Sequence, residues 1–279
     1  MLRKSFTLKL SDNCIINGDI RFPVGKDSLP AVLVLHGFKA FREWGFFPYV
    51  CERIASSGAF AISFDFSHNG IADLATGLFD VNRFASNTIS KEVKEAGFLI
   101  ENIINGDLFN GEYPDFNGEL SLLGHSLGAA VSILAAQDKK LINKFCLWSS
   151  IAKFNRYTPR QVNLWREKGY IEIANSATGQ KLRLNSTYIE DILQNYPDNM
   201  LADCLGKINA PVFIGHGERD MTVGVDEAHL LASAIKKSNL TFDIIDKAGH
   251  TFGISHPFGG AIRQLDDILN KTISFLDLK

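Results

Sequence analysis

The feature that most constrains this chain is a five-residue turn, Gly124-His125-Ser126-Leu127-Gly128. The apolar run Leu120-Ser121-Leu122-Leu123 before it reads as a short buried strand, and Ala129-Ala130-Val131-Ser132-Ile133-Leu134-Ala135-Ala136 after it reads as a helix. So tight a passage from strand to helix strains the backbone, and the residues two before and two after the serine must be small. Glycine at 124 and 128 removes the side chains that would collide with strand and helix. Ser126 then stands at a helix N-terminus, where amide N–H groups can meet a developing negative charge. The competing reading is an ordinary βα turn that happens to hold a serine.

Two later segments weigh against coincidence. Pro211-Val212-Phe213-Ile214-Gly215-His216-Gly217 reads as a buried strand and leads into Glu218-Arg219-Asp220. Leu240-Thr241-Phe242-Asp243-Ile244-Ile245 reads as another and leads into Asp246-Lys247-Ala248-Gly249-His250. An acid and a histidine thus each follow a strand, in the chain order Ser126, Asp220, His250 expected when a nucleophile elbow is genuine. Loops leaving the carboxyl ends of parallel strands gather at one edge of the sheet. Each residue also has a plainer reading. Asp220 can cap a helix starting near Val225, although Asp226 is as well placed. His256, beside Pro257, is the alternative base. His36 and His216 lie in His-Gly pairs at strand ends and read as structural, holding loops by hydrogen bonds. His125 and His68 are candidates to line a pocket.

Ala31-Val32-Leu33-Val34-Leu35-His36-Gly37-Phe38 is the strongest strand signal. Its unbroken apolar run suits a central parallel strand covered on both faces. If Ser126 is a nucleophile, one oxyanion donor is the N–H of Leu127, and the second comes from the loop after this earlier strand. Phe38 N–H is the candidate, with Gly37 letting the loop turn. The same loop is rich in aromatic residues. Phe46, Phe47 and Val50 at helical spacing read as core, which leaves Phe38 and Trp44 to touch a ligand.

Residues 3–10 and 13–22 read as an antiparallel pair. Strand 31–36, a helix near 46–58, strand 59–65, a helix near 88–105, strand 119–124, helix 126–138 and strand 142–149 follow. Asn105-Gly106-Asp107 and Gly111-Glu112-Tyr113-Pro114 mark loops. The alternation predicts a parallel sheet with right-handed crossovers. Residues 151–207 break the rhythm and are too many for a plain loop. Within them, 169–174 reads as a strand, and 187–193 as a helix capped by Thr or Ser.

At 279 residues and 46% hydrophobic content, the chain suits one α/β domain. Its net charge of −2 comes without a basic stretch, which argues against a nucleic-acid partner. The first ten residues alternate like a strand and do not read as a signal peptide. No apolar run is long enough to span a membrane. Cys14, Cys51, Cys146 and Cys204 have no CxxC spacing. They read as reduced thiols of a cytoplasmic protein rather than zinc ligands or disulfides, with Cys146 in the core.

Together, His36-Gly37-Phe38, Gly124-His125-Ser126-Leu127-Gly128, His216-Gly217-Glu218-Arg219-Asp220 and Ala248-Gly249-His250 resemble the α/β-hydrolase superfamily over most of the chain. Leu35-His36-Gly37-Phe38-Lys39-Ala40-Phe41-Arg42-Glu43-Trp44-Gly45 and Ser63-Phe64-Asp65-Phe66-Ser67-His68-Asn69-Gly70 are similar to segments of its bacterial cinnamoyl and feruloyl esterase and dienelactone-hydrolase-like group. Many superfamily members carry Asp-x-Arg-Gly-x-Gly at the second segment. Ser67-His68 replaces the Arg-Gly pair here, so that loop's usual contacts do not carry over.

The resemblance implies an α/β-hydrolase fold, with a mostly parallel central sheet and helices on both faces. It implies a core of residues 1–150 and 208–279 and a small cap insertion, 151–207, after the sixth strand. It further implies a serine esterase for carboxylic esters of small or aromatic acyl groups, working through an acyl-enzyme. Ser126 is then nucleophile, His250 base and Asp220 its orienting acid, with the Phe38 and Leu127 amides as oxyanion hole and no metal or organic cofactor. His125, Trp44, Trp165 and Tyr188 are the candidate substrate contacts. The expected partner is a small-molecule ester, with no nucleic acid or membrane; oligomeric state stays open, a homodimer included. Also open are a thioesterase or acyltransferase, a small peptidase of the same fold, and a non-catalytic ligand-binding relative. A prolyl-oligopeptidase type needs an extra domain for which this chain has no room. A non-catalytic relative would have lost a catalytic residue, whereas every position is filled here.

Overall fold

Strands β1 (Leu2–Ser11) and β2 (Cys14–Phe22) pair antiparallel and open a mixed sheet. It continues through β3 (Ser28–Leu35), β4 (Phe60–Asp65), β5 (Asp115–His125), β6 (Ile142–Trp148), β7 (Val212–Gly217) and β8 (Leu240–Ile245). The computed structural model describes every residue except 12, 13, 112, 138, 140, 176, 177 and 279. The first residue of the expected 13–22 strand, Glu112 of the second expected loop and the last residue of the expected 126–138 helix lie outside the described residues. Strand order is β1-β2-β4-β3-β5-β6-β7-β8. β2 runs antiparallel to β4, and all pairs from β4 to β8 are parallel.

The unbroken apolar run of β3 follows from its central place. Leu33 and Leu35 face one core cluster and Val32 and Val34 the other, as the two-residue period of a strand requires. Helices α1 (Phe47–Ser56) and α9 (Arg263–Phe275) cover the valine side. α3 (Ile89–Ile104), α4 (Leu127–Ala135) and α8 (Val225–Ala234) cover the leucine side. Phe46, Phe47 and Val50 are core residues, as their helical spacing predicted, and so is Cys146. The short α2 (Val81–Ala85) is capped by Asp80, whose carboxylate accepts from the Asn82 and Arg83 amides.

Between β6 and β7 the chain forms α5 (Pro159–Lys168), a hairpin of Tyr170–Ala174 and Lys181–Asn185, α6 (Ser186–Asn195) and α7 (Met200–Lys207). Proline at the first turn and a Thr158–Gln161 capping box start α5, and Gly169 at φ 79° ends it. One expectation is corrected here, and one strand was not expected. The second hairpin strand has no counterpart in the sequence reading. The N-cap of α6 is Asn185, without a side-chain bond, rather than Thr or Ser. α7, within the expected insertion, packs on α4 and α8. A second small hairpin, Ile71–Asp73 with Leu78–Phe79, was likewise not expected. Among the described residues no helix is long and apolar enough to cross a membrane.

Candidate active site

Ser126 sits between the end of β5 and the first residue of α4 with φ 56° and ψ −121°. A non-glycine residue held there costs about 1–3 kcal/mol, which the surroundings must over-determine. Its N–H donates to the Trp148 carbonyl of β6 at 2.8 Å. The flanking glycines are forced by close approach. A Cβ on Gly124 would lie 2.3 Å from Ala129 Cα, and one on Gly128 would lie 2.4 Å from the His36 carbonyl oxygen.

The loops after β7 and β8 bring Asp220 and His250 to the same edge of the sheet. His250 Nδ1 lies 2.7 Å from Asp220 Oδ2, and His250 Nε2 lies 3.0 Å from Ser126 Oγ. Asp220 Oδ1 accepts from the N–H groups of Thr222 and Val223, each at 2.9 Å. Burial works to raise the Asp220 carboxyl, but the His250 hydrogen bond and these amides outweigh it and hold it below the usual carboxylate range. Asp220 therefore closes its own loop; the N-cap of α8 is Gly224.

Three further histidines brace this edge. A carbonyl oxygen can only accept, so the ring nitrogen facing it is assigned the proton. His36 donates from Nδ1 to the Gly37 carbonyl at 2.9 Å and accepts at Nε2 from Phe66 N–H at 3.3 Å. His125 donates from Nε2 to the His250 carbonyl at 2.9 Å. His216 donates from Nε2 to the Val223 carbonyl at 2.9 Å. Burial drives all three toward neutrality, His36 to about 4, His125 to about 3 and His216 downward. His125, expected to touch substrate, borders the larger cavity, and its Nε2–H is given to the His250 carbonyl, so it also braces that loop.

His68 pairs with Ser67 Oγ at 2.7 Å and lies 3.6 Å from Glu95. His256, the alternative base, accepts at Nδ1 from Gly45 N–H at 3.1 Å and stacks on Trp44. Among the described residues it has no bond to Ser126 or Asp220.

Leu127 opens α4, and the loop after β3 passes directly over the serine. A Cβ on Gly37 would lie 3.1 Å from Ser126 Cβ. Among the described residues neither the Phe38 nor the Leu127 N–H has a protein acceptor. Arg42 fixes this loop. Its backbone N–H donates to Asp65 Oδ1 at 2.7 Å, its Nη1 also reaches Asp65, and its Nε donates to Asp19 at 2.7 Å. Burial nevertheless pushes the Asp65 carboxyl up to about 6, against the pull of Arg42. No motif singled out Arg42, because its partners are distant in sequence.

Two cavities meet at Ser126 and Phe38. The larger, about 500 Å³, is walled by His250, Trp44, Lys39, Asn175, Ser255 and His256, among others. The smaller, about 300 Å³, is walled mainly by Leu127, Ile151, Phe154, Tyr157, Tyr188 and Val223. Trp44 and Tyr188 therefore reach the site, one in each wall. Trp165 does not. It is 1% exposed, donates from its indole to the Leu184 carbonyl at 2.9 Å, and stacks behind Tyr188 with ring centroids 6.1 Å apart.

No family model matches this sequence, and no curated protein matches it. Solved structures do. GrgF from Penicillium sp. sh18, titled an alpha/beta hydrolase, superposes with a TM-score of 0.74 at 15% identity, covering 99% of this chain and 98% of that one. Est1E from Butyrivibrio proteoclasticus with ferulic acid bound superposes with a TM-score of 0.73 at 17% identity, covering 97% of each chain. The monoacylglycerol lipase of Paleococcus ferrophilus does so with a TM-score of 0.65 at 15% identity, covering 94% and 98%. The chain has the α/β-hydrolase fold. In this fold Ser126 stands in the turn after β5 and Phe38 in the loop after β3.

Proposed function

We propose that this chain is a serine esterase that hydrolyses carboxylic esters of small or aromatic acyl groups through an acyl-enzyme. One observation carries the reading: the hydrogen-bonded line from Asp220 through His250 to Ser126, whose backbone is held in a strained elbow. Ser126 Oγ attacks the ester carbonyl while His250 Nε2 takes its proton. The tetrahedral oxyanion is met by the Phe38 and Leu127 amides, each worth about 2.7–4 kcal/mol in the transition state. Asp220 stays ionised and stabilises the imidazolium. His250 then protonates the leaving alkoxide oxygen as the C–O bond breaks. Water, deprotonated by His250, releases the acid from Ser126 in the second half of the cycle.

The part of the insertion before α7 acts as a cap. Ile151, Phe154, Tyr157 and Tyr188 of that segment wall the smaller cavity, so the segment selects the acyl group rather than performing the chemistry. That the similarly folded Est1E binds ferulic acid supports an aromatic acyl group. The four cysteines are buried and form no disulfide among the described residues, which fits a reducing, cytoplasmic setting.

The test is hydrolysis of p-nitrophenyl acetate and a cinnamoyl ester by wild type, Ser126→Ala, His250→Ala and Asp220→Asn. Wild type turns over both, and each variant loses at least about a thousandfold in kcat. Undiminished turnover by Ser126→Ala would refute the reading.

A further inference from the structure

We infer that the ester's leaving alcohol carries an anionic group and occupies the larger cavity beside Lys39, while the acyl group fills the smaller aromatic one. The inference rests on the esterase reading above. It begins with a requirement of the chemistry: the group that took the serine proton must hand it to the leaving oxygen, so the alcohol departs on the side His250 borders. His250 stands in the wall of the larger cavity and not in that of the smaller. The smaller is walled by Leu127, whose amide faces the oxyanion, and by the cap side chains. The direction of the ester across Ser126 is thereby set.

The two cavities also differ in character. The smaller is aromatic and aliphatic over most of its wall, and the Arg156 guanidinium at its end is paired with Glu227 and the Thr222 carbonyl. The larger carries Lys39, Asn175, Thr251, Ser255 and His256, and among the described residues no carboxylate lines it. Asp220, the nearest acid in the hydrogen-bonded line, is sealed behind His250 with no side-chain exposure. Lys39 is the permanent charge in this wall. It follows the oxyanion residue Phe38 by one position and adopts φ 60°, a left-handed conformation that favours glycine over any side chain. Its ammonium donates to the Ala174 carbonyl of the cap hairpin at 3.2 Å, which tethers the charge at the rim between core loop and cap. A carboxylate, phosphate or sulfate on the alcohol meets a favourable field there, and a cationic alcohol is repelled.

Three phenyl acetates of like size test this: 4-acetoxybenzoate (anionic), 4-acetoxybenzamide (neutral) and (4-acetoxybenzyl)trimethylammonium (cationic). Each rate is divided by that ester's rate with hydroxide, which removes intrinsic leaving-group differences. Wild type should prefer the anionic over the cationic ester by about tenfold or more in kcat/KM at low salt, and the preference should shrink as salt rises. Lys39→Gln should bring the ratio close to one and Lys39→Glu should invert it. Lys39→Arg, which keeps the charge, should retain it. An equal ratio in wild type, or one that Lys39→Gln leaves unmoved, overturns the inference while the esterase reading stands. Neutral-ester hydrolysis that is absent from wild type, or that survives Ser126→Ala, overturns both.

Discussion

The imidazole of His125, one residue before the serine, donates from Nε2 to the backbone carbonyl of His250 at 2.9 Å. The rings of the two histidines lie 4.8 Å apart, and Phe46 closes the far side of His125. The end of β5 thereby holds the loop that carries the proposed base, and the 3.0 Å reach from His250 to Ser126 depends on it. His125→Phe keeps a ring in that space and removes the donor. A displacement near 1 Å at the base costs up to about a hundredfold in rate. The expected result is a 10- to 100-fold lower kcat with KM little changed. Inactivation by a fluorophosphonate should slow in parallel. Normal kcat per folded molecule with a lowered melting temperature would make His125 a packing residue only.

Acid should destabilise the fold through the bracing histidines. His36 titrates at about 4 and His125 at about 3 in the folded chain, both below an ordinary histidine at about 6.5. Folding therefore favours their neutral forms. That stability is complete above about pH 6.5 and is lost as pH falls toward 4 and then 3. Each such group contributes a slope of about 1.4 kcal/mol per pH unit near pH 5, set against the opposite slopes of the raised Asp65 and Glu92 carboxyls. Urea unfolding of wild type and His36→Gln between pH 7 and 4.5 isolates it, and the stability difference between the two should change by about 1.4 kcal/mol per pH unit near pH 5. A difference that stays constant across this range would contradict the buried, neutral assignment.

Glu92 should act at the other end of the scale. It is buried in α3, where it accepts from Asn87 Nδ2 at 2.7 Å, and burial raises its carboxyl to about 8. A carboxyl raised above its unfolded value favours the protonated form in the fold. Its contribution is present below about pH 4.5 and is lost as pH rises through 8. Glu92→Gln keeps the acceptor and removes the charge. The variant should melt higher than wild type at pH 8.5, and the gap should close toward pH 5. A lower melting temperature at every pH would point to an ionised Glu92 with a partner.

Tyr188 and Trp165 separate the acyl wall from its support. Tyr188→Ala should change the ratio of kcat/KM for a cinnamoyl ester to that for an acetate ester, because only the bulky group draws binding energy from that wall. Trp165→Phe removes the Leu184 hydrogen bond and part of the stack behind Tyr188. It should lower stability by about 1–3 kcal/mol and shift the ratio less. If neither variant moves the ratio, the segment elaborates the fold and the cap proposal falls.

The succession of strands and helices and the grouping of Ser126, Asp220 and His250 were legible because each rests on local pattern: apolar runs, small residues around a turn, and an acid or base just past a strand. Arg42 was not legible, since its role comes from Asp65 on β4 and Asp19 on β2, which only the sheet brings together. Trp165 was misplaced for the same reason. A tryptophan in an insertion has the composition of a pocket wall, and only packing shows Tyr188 in front of it. The hairpin strand Lys181–Asn185 was missed because charged residues alternate with Leu182 and Leu184 on a short edge.

The most direct test of the central claim is covalent labelling with an active-site-directed fluorophosphonate, followed by peptide mass spectrometry. The strained elbow and the 3.0 Å contact with His250 predict one adduct per chain, on Ser126, abolished by Ser126→Ala and strongly slowed by His250→Ala. No adduct, or an adduct on another serine, would contradict the account.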